Sequence, residues 1–274
     1  MHYITCTRKI GAGGTEIARQ VAERLGYRFY DTEAIETAAR ELGFLDDVRE
    51  IDEKPPSLVR SMFTQKPAAE LARLNSVVYE LARAGDAVFV GRGSHLLLKS
   101  FCSALHVRVT ASRETRVRGL VARGLPEEAA SRAVDRSDRE RAAFFRFAFG
   151  VDWDSAELYD LVLCMDNLSV PLAVDLVVRL AGSEEIRSRA SGSLEAIASL
   201  ALVSRAEAAL LEAGLVQGTG LAVAAAAPRP GTLQLTGVVE NASNRSRAEQ
   251  VVRAVKGVRE VENRIHVVPI GRFA

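Results

Sequence analysis

Thr7-Arg8-Lys9-Ile10-Gly11-Ala12-Gly13-Gly14-Thr15 lies between a short β-type run, His2–Thr7, and a segment in which Ile17, Ala18, Val21, Ala22 and Leu25 recur at helical spacing. Glycines in such a turn let backbone N–H groups face an anion without Cβ interference, and the helix N-terminus adds the positive end of its dipole. That geometry cradles phosphates. Thr15 stands where the hydroxyl of the phosphate-loop pattern GxxxxGK[ST] contacts Mg2+, but Arg8 fills the first glycine slot of that pattern and Gly14 its lysine slot. Arg8 or Lys9 would then supply the missing cation from the other side of the loop. The competing reading is a tight strand-to-helix turn whose glycines serve close packing.

Outward from the loop, strand-like and helix-like segments alternate through residue 180. Tyr27–Tyr30 reads as a second strand and Glu33–Leu42 as a helix. Leu71, Leu74, Val78 and Leu81 mark another helix, followed by the apolar run Ala87–Val90 and the strand Leu105–Val109. A long charged helical region runs from Arg113 to about Phe147, Tyr159–Met165 reads as a last buried strand, and Ser169–Leu180 as a closing helix. Strands alternating with crossover helices predict an α/β fold, a parallel sheet covered on both faces. The stretch 181–193 is small and polar without periodicity, which divides the chain into a domain at 1–182, a linker at 183–193 and a second domain at 194–270.

Composition excludes several classes. The 274 residues are 48% hydrophobic, too many for disorder, and no run approaches the ~20 apolar residues of a membrane span. The opening Met1–Cys6 lacks a basic and apolar leader pattern, and Cys6, Cys102 and Cys164 are odd in number and far apart. Both observations favour a cytoplasmic protein with reduced thiols. His2, His95, His106 and His266 are scattered without metal-like spacing and read as surface or core-edge groups. A net charge of +1 gives no global field for nucleic acid. Locally the balance breaks: nine arginines and no lysine fall between Arg113 and Arg146, among six acids. Such a run reads either as a solvated face with i,i+4 ion pairs or as a phosphate-binding lid.

Several motifs in order resemble the cytidylate kinase family, in particular its cytidylate kinase-like branch. These are the Arg-x-x-Gly-Ala-Gly-Gly loop, Tyr30-Asp31-Thr32, Val90-Gly91-Arg92-Gly93 (similar to a Gly-Arg-Asp strand end), and Ala111-Ser112-Arg113-Glu114-Thr115-Arg116. Asp138-Arg139-Glu140-Arg141-Ala142, Phe149-Gly150-Val151-Asp152-Trp153-Asp154 and Tyr159-Asp160-Leu161-Val162 continue the series. The resemblance covers residues 3–180 and implies a P-loop nucleoside monophosphate kinase using ATP and Mg2+, with CMP or dCMP as acceptor. It further implies that Arg8, Lys9, Gly11, Ala12, Gly13, Gly14 and Thr15 hold ATP phosphates, Thr15 also taking the metal. Arg92, Asp31, Asp138 and Arg141 would bind the acceptor, and Arg116, Arg139 and Arg141 would close over the transferring phosphoryl. Trp153 and Phe144-Phe145 read as packing groups. The alternative is a nucleotide-binding regulatory protein in which Gly14 and Gly93 mark lost catalysis.

Beyond the linker, a helix (194–213), strands at 219–226 and 232–239, a helix (243–255) and a strand (258–267) predict an αββαβ unit. Leu233-Gln234-Leu235-Thr236-Gly237-Val238-Val239 and Gly257-Val258-Arg259-Glu260-Val261-Glu262-Asn263 resemble a BON domain, with Gly237 and Gly257 read as bends at element ends. The resemblance implies a binding module with a membrane or protein partner. Splitting the charge after Glu185 gives −3 before and +4 after.

Overall fold

The computed structural model describes residues 2–43, 66–101, 103–188, 193–216, 220–226 and 229–268. Cys102, residues 189–192 of the linker, Thr219 and the limit at 270 lie outside them. The chain forms two compact units.

In the first unit, strands β1 (Tyr3–Arg8), β2 (Arg28–Tyr30), β3 (Ala87–Val90), β4 (Ala104–Thr110) and β5 (Leu161–Cys164) form one all-parallel sheet in the order β2-β3-β1-β4-β5. Chain direction from β1 runs first to the β2 side and then to the β5 side, so the end of β1 is the switch point where open α/β sheets hold ligands. Helix α1 (Gly14–Leu25) follows β1, and α2 (Thr32–Glu41) follows β2. Alternation along β1 explains the two layers. Ile4 and Cys6 face the apolar core with Ile17, Ala18 and Val21 of α1 and Ala173, Val174 and Val177 of α7 (Val170–Ala181). On the other face Thr5 and Thr7 meet His106 and His95, and Tyr3 meets Phe89 and Phe101. That second layer is polar and aromatic.

Four expectations change here. The long charged region is two helices, α5 (Arg113–Val121) and α6 (Glu127–Phe149), because Gly124 takes a positive φ and Pro126 follows it. The strand expected at Tyr159–Met165 is shorter and lies at the sheet edge, with Leu163 buried and Val162 and Cys164 exposed. His95, on the short helix α4 (Ser94–Leu97), and His106 are fully interior, tied to the two threonines of β1. Part of the predicted linker is also helical, α8 (Glu184–Arg187).

The second unit contains α9 (Ser193–Glu212), β6 (Ala222–Ala225), β7 (Thr232–Val239), α10 (Ala242–Arg253) and β8 (Glu260–Val267). β6 pairs antiparallel and β8 parallel with the central β7. Leu233, Leu235, Val261 and Ile265 point into a core with Leu202, Leu210, Ala248 and Val252. Gly237 sits inside β7 and not at its end: a Cβ there would stand 2.6 Å from the Gly220 carbonyl oxygen, so the residue permits a close backbone approach. The motif asparagine has a structural role, since the Asn263 amide donates to Glu249 on α10 at 2.9 Å and to the Arg245 carbonyl at 3.3 Å. Helix α3 (Lys66–Ala82), expected within the first domain, clusters with this second unit.

Candidate functional site

The glycines of the loop after β1 differ in what surrounds them. Gly11 and Gly14 are packing positions: a Cβ at Gly11 would stand 2.3 Å from the Arg116 carbonyl oxygen, and one at Gly14 would stand 2.5 Å from Cβ of Arg8 and 3.1 Å from Cβ of Val109. Gly13 differs. Its φ of 80° is left-handed, its nearest neighbour would be Val170 at 4.0 Å, and no side chain among the described residues caps the first N–H groups of α1. Open space over an uncapped helix N-terminus suits an anion. Behind the turn the buried Cys6 thiol donates to the Gly14 carbonyl, and burial pushes its pKa up to about 12. Ala12 is buried, and Thr15 lies half-buried in the first turn of α1.

The loop is also clamped from outside. Ile10 packs on Val117, Leu120, Ala130, Ala133 and Val134, the small apolar core between α5 and α6. A Cβ at Gly119 would come 2.5 Å from the Gly11 carbonyl oxygen. Glycine at both positions lets α5 touch the loop backbone directly.

Of the cations expected to stand in for the loop lysine, Lys9 is ion-paired to Asp154 at 3.1 Å and lies over the Trp153 ring. Half-buried Arg8 ends β1, and its carbonyl accepts from Arg141 at 2.5 Å. Arg116 and Asp138, expected to act on different substrates, hold each other in a two-pronged pair at 2.8 and 2.7 Å, with Arg116 5% exposed. Arg139 is exposed and, after Arg113, helps hold the Asp135 carboxyl below the usual carboxylate range. Asp31 acts as a helix cap: it accepts from the Ala34 N–H at 3.1 Å and pairs with Arg19 at 3.3 Å.

Arg92 is the most constrained of the candidates. Gly91, Arg92 and Gly93 take φ of 75°, 57° and 70°, three successive left-handed residues at the end of β3. An arginine held there is strained, and such strain gathers at ligand sites. Its side chain is 1% exposed and approaches Glu36 at 3.8 Å. An acidic residue at position 93, as in the similar motif, would have to displace the Phe149 ring, 2.4 Å from its Cβ, and hold a left-handed φ of 70°.

Sequence reasoning missed Arg108 and Asp166. Arg108, buried in the middle of β4, bonds Asp154, the Trp153 carbonyl and the Tyr159 hydroxyl and lies 4.6 Å from the Trp153 ring centroid. A charged residue in the buried alternation of His106-Val107-Arg108-Val109 was the available signal. Asp166, just past β5, accepts from the Ser112 N–H at 3.0 Å and hydroxyl at 2.8 Å. Hydrogen bonds from Thr115 and then Ser112 hold its carboxyl down at about 2. Trp153 stacks on Phe145 and is a packing group, as read from the sequence.

A five-stranded parallel sheet with a glycine-rich turn after its central strand, arginines at neighbouring strand ends and a helix pair against the turn defines a P-loop kinase-like protein. The cytidylate kinase-like family matches residues 3–167 and the BON domain matches residues 201–269. The chain belongs to the cytidylate kinase-like family and carries a BON domain after it. Among solved structures, an uncharacterized protein from Eubacterium ventriosum is 17% identical with a TM-score of 0.53, covering 67% of this chain and 100% of its own. A shikimate kinase from Bacteroides thetaiotaomicron is 15% identical over 65% of this chain and 97% of its own, with a TM-score of 0.43. A gluconokinase from Sinorhizobium meliloti is 13% identical over 69% and 93%, with a TM-score of 0.39. A search of the curated proteins finds no match. No helix among the described residues is long and apolar enough to cross a membrane.

Proposed function

We propose that the protein transfers the γ-phosphoryl of ATP to a nucleoside monophosphate, CMP or dCMP by preference. The observation that carries this reading is the pairing of an open, uncapped α1 N-terminus at Gly13 with a strained, buried Arg92 at the end of the adjacent strand. Transfer between two polyanions needs alignment and charge neutralisation more than covalent help. The N–H groups at the start of α1 would hold donor phosphate oxygens, and the Thr15 hydroxyl would take Mg2+. The metal supplies neutralisation of charge across the phosphates. Arg92 would grip the acceptor phosphate with its planar fork, and Arg141 would support the same acceptor.

The test is transfer from ATP, with Mg2+, to CMP, dCMP, UMP, AMP and GMP. CDP or dCDP formation is expected; no product from any acceptor at high enzyme concentration rejects the kinase reading. In the same assay Arg92→Ala should raise KM for the monophosphate about tenfold or more and leave ATP affinity unchanged. An effect confined to ATP would place Arg92 on the donor side.

A second reading has its own support. Lys9, one of the two cations that could replace the loop lysine, is spent on Asp154, and Arg116 of the expected lid is spent on Asp138. A regulatory protein that binds nucleotide without turnover would look like this. Saturable ATP binding by calorimetry together with no transfer supports that reading.

A further inference from the structure

The second unit contains a cavity of about 300 Å3 that the kinase reading does not use. It opens between α3 and α9 and is walled on its remaining side by Leu221 and Val223 at the start of the small sheet. Its volume falls at the lower end of the ~300–1,000 Å3 typical of small-molecule sites, the size of a single-ring compound with a short chain. The two helices are joined beside it by the Arg73–Glu212 ion pair.

The lining is apolar, led by Leu71, Leu210 and Val223, with polar side chains at two positions, one on each helix: Asn75 on α3 and Glu207 on α9. The Asn75 side-chain oxygen is buried without a hydrogen-bond partner. Glu207 has no hydrogen bond or ion pair among the described residues, and burial raises its pKa with no cation to offset it. The buried Asn75 oxygen is costly without a donor, and the half-buried Glu207 carboxyl, desolvated by the apolar wall, is best satisfied by a cation that brings its own N–H groups. A carboxylate ligand would face like charge, and a purely apolar ligand would leave Glu207 unanswered.

We propose that this cavity binds a small organic amine, an apolar body about one ring in size carrying a protonated primary amino group that donates to Glu207. The amino group satisfies the carboxyl, and the ring covers Leu71, Leu210 and Val223. Because α3 belongs to the segment that matches the kinase-like family and α9 to the segment that carries the BON domain, one ligand would engage residues of both matched segments. The inference does not depend on the phosphate-loop reading.

The experiment titrates the full-length protein with phenethylamine, following ligand binding by saturation-transfer NMR and protein stability by thermal melting. 2-Phenylethanol and 3-phenylpropionate serve as neutral and acidic counterparts. Saturable binding of the amine at least tenfold tighter than either counterpart is expected, with a rise in Tm. Glu207→Gln, which keeps shape and folding, should remove that preference, and Val223→Phe should abolish binding by filling the space. Equal binding of all three probes, an unchanged preference in Glu207→Gln, or no saturable amine binding overturns the proposal. If Val223→Phe fails to fold, Ala72→Leu fills the same cavity from α3 and decides the point.

Discussion

Gly14 occupies the slot where a phosphate loop ordinarily carries lysine, and the reason is steric. The stem of Arg8 and the side chain of Val109 take the volume into which a Cβ at position 14 would project. Arginine at 8 and glycine at 14 therefore depend on each other. Restoring the lysine by Gly14→Lys should destabilise the protein by about 1–3 kcal/mol through overpacking, read as a lower urea midpoint with unchanged m-value. The double variant Arg8→Gly/Gly14→Lys should recover most of that loss, because the glycine at 8 vacates the space. Equal stability of wild type and Gly14→Lys would show that the packing at this turn yields freely. The same logic governs Gly93, where the Phe149 ring closes the space beside a left-handed backbone. Both departures from the expected motifs are thus matched by a bulky neighbour, which is why neither could be interpreted from its own position in the chain.

Helix α5 is where several of these contacts converge. It is fixed to the loop by glycine contacts, to α6 by Arg116–Asp138 and Arg113–Asp135, and to the end of β5 by Asp166 bonding Ser112 at its N-cap. Removing Asp138 strands a guanidinium that is almost wholly interior. Asp138→Ala should cost about 3 kcal/mol, the low end for a broken buried pair because Asp138 itself is 30% exposed. Arg116→Ala/Asp138→Ala should cost less than the sum of the singles in a double-mutant cycle; strict additivity would deny the coupling. Asp166 gives this junction a pH signature. Its folded pKa of about 2 lies below the ~3.9 of an unfolded aspartate, so its contribution is complete above about pH 4 and is lost as pH falls toward 2. Denaturant melts of wild type and Asp166→Asn should differ at pH 5 and converge near pH 2; a constant gap would exclude this titration. The order of strands and helices was legible in the sequence because apolar periodicity follows from burial, as in Ala87–Val90 and Thr232–Val239. Partner choice was not. Arg116 and Asp138 lie 22 residues apart on separate helices, and nothing in either segment says that each neutralises the other. Asp31 read as an acceptor-binding residue, and the bond from the Ala34 N–H shows its carboxylate at the start of α2.

At the scale of the whole chain, the boundary drawn from composition and the boundary drawn by packing disagree over α3. Sequence assigns residues 66–82 to the nucleotide-binding half, since they fall between two strands of its sheet. By contacts they belong with the αββαβ unit, joined to α9 by Arg73–Glu212 and by the shared lining of the cavity. A linker-based cut therefore divides a packed unit. The fragment 1–188 retains all five strands of the parallel sheet but strips α3 of its α9 partner and bares Leu71. Re-exposing one large apolar side chain costs up to about 1.5–3 kcal/mol, or roughly 3–12 °C in Tm for a chain of this size. The fragment should accordingly melt that far below the full chain and bind the hydrophobic dye ANS more strongly. Removing the ion pair alone with Glu212→Gln in the full chain should shift Tm by less, because a partly exposed pair contributes about 1 kcal/mol or less. A fragment with the melting temperature and dye binding of the full chain would show that α3 stands on the parallel sheet without help from the second unit. The graded order, full chain above Glu212→Gln above 1–188, is the result expected if α3 takes its stability from α9 within the second unit.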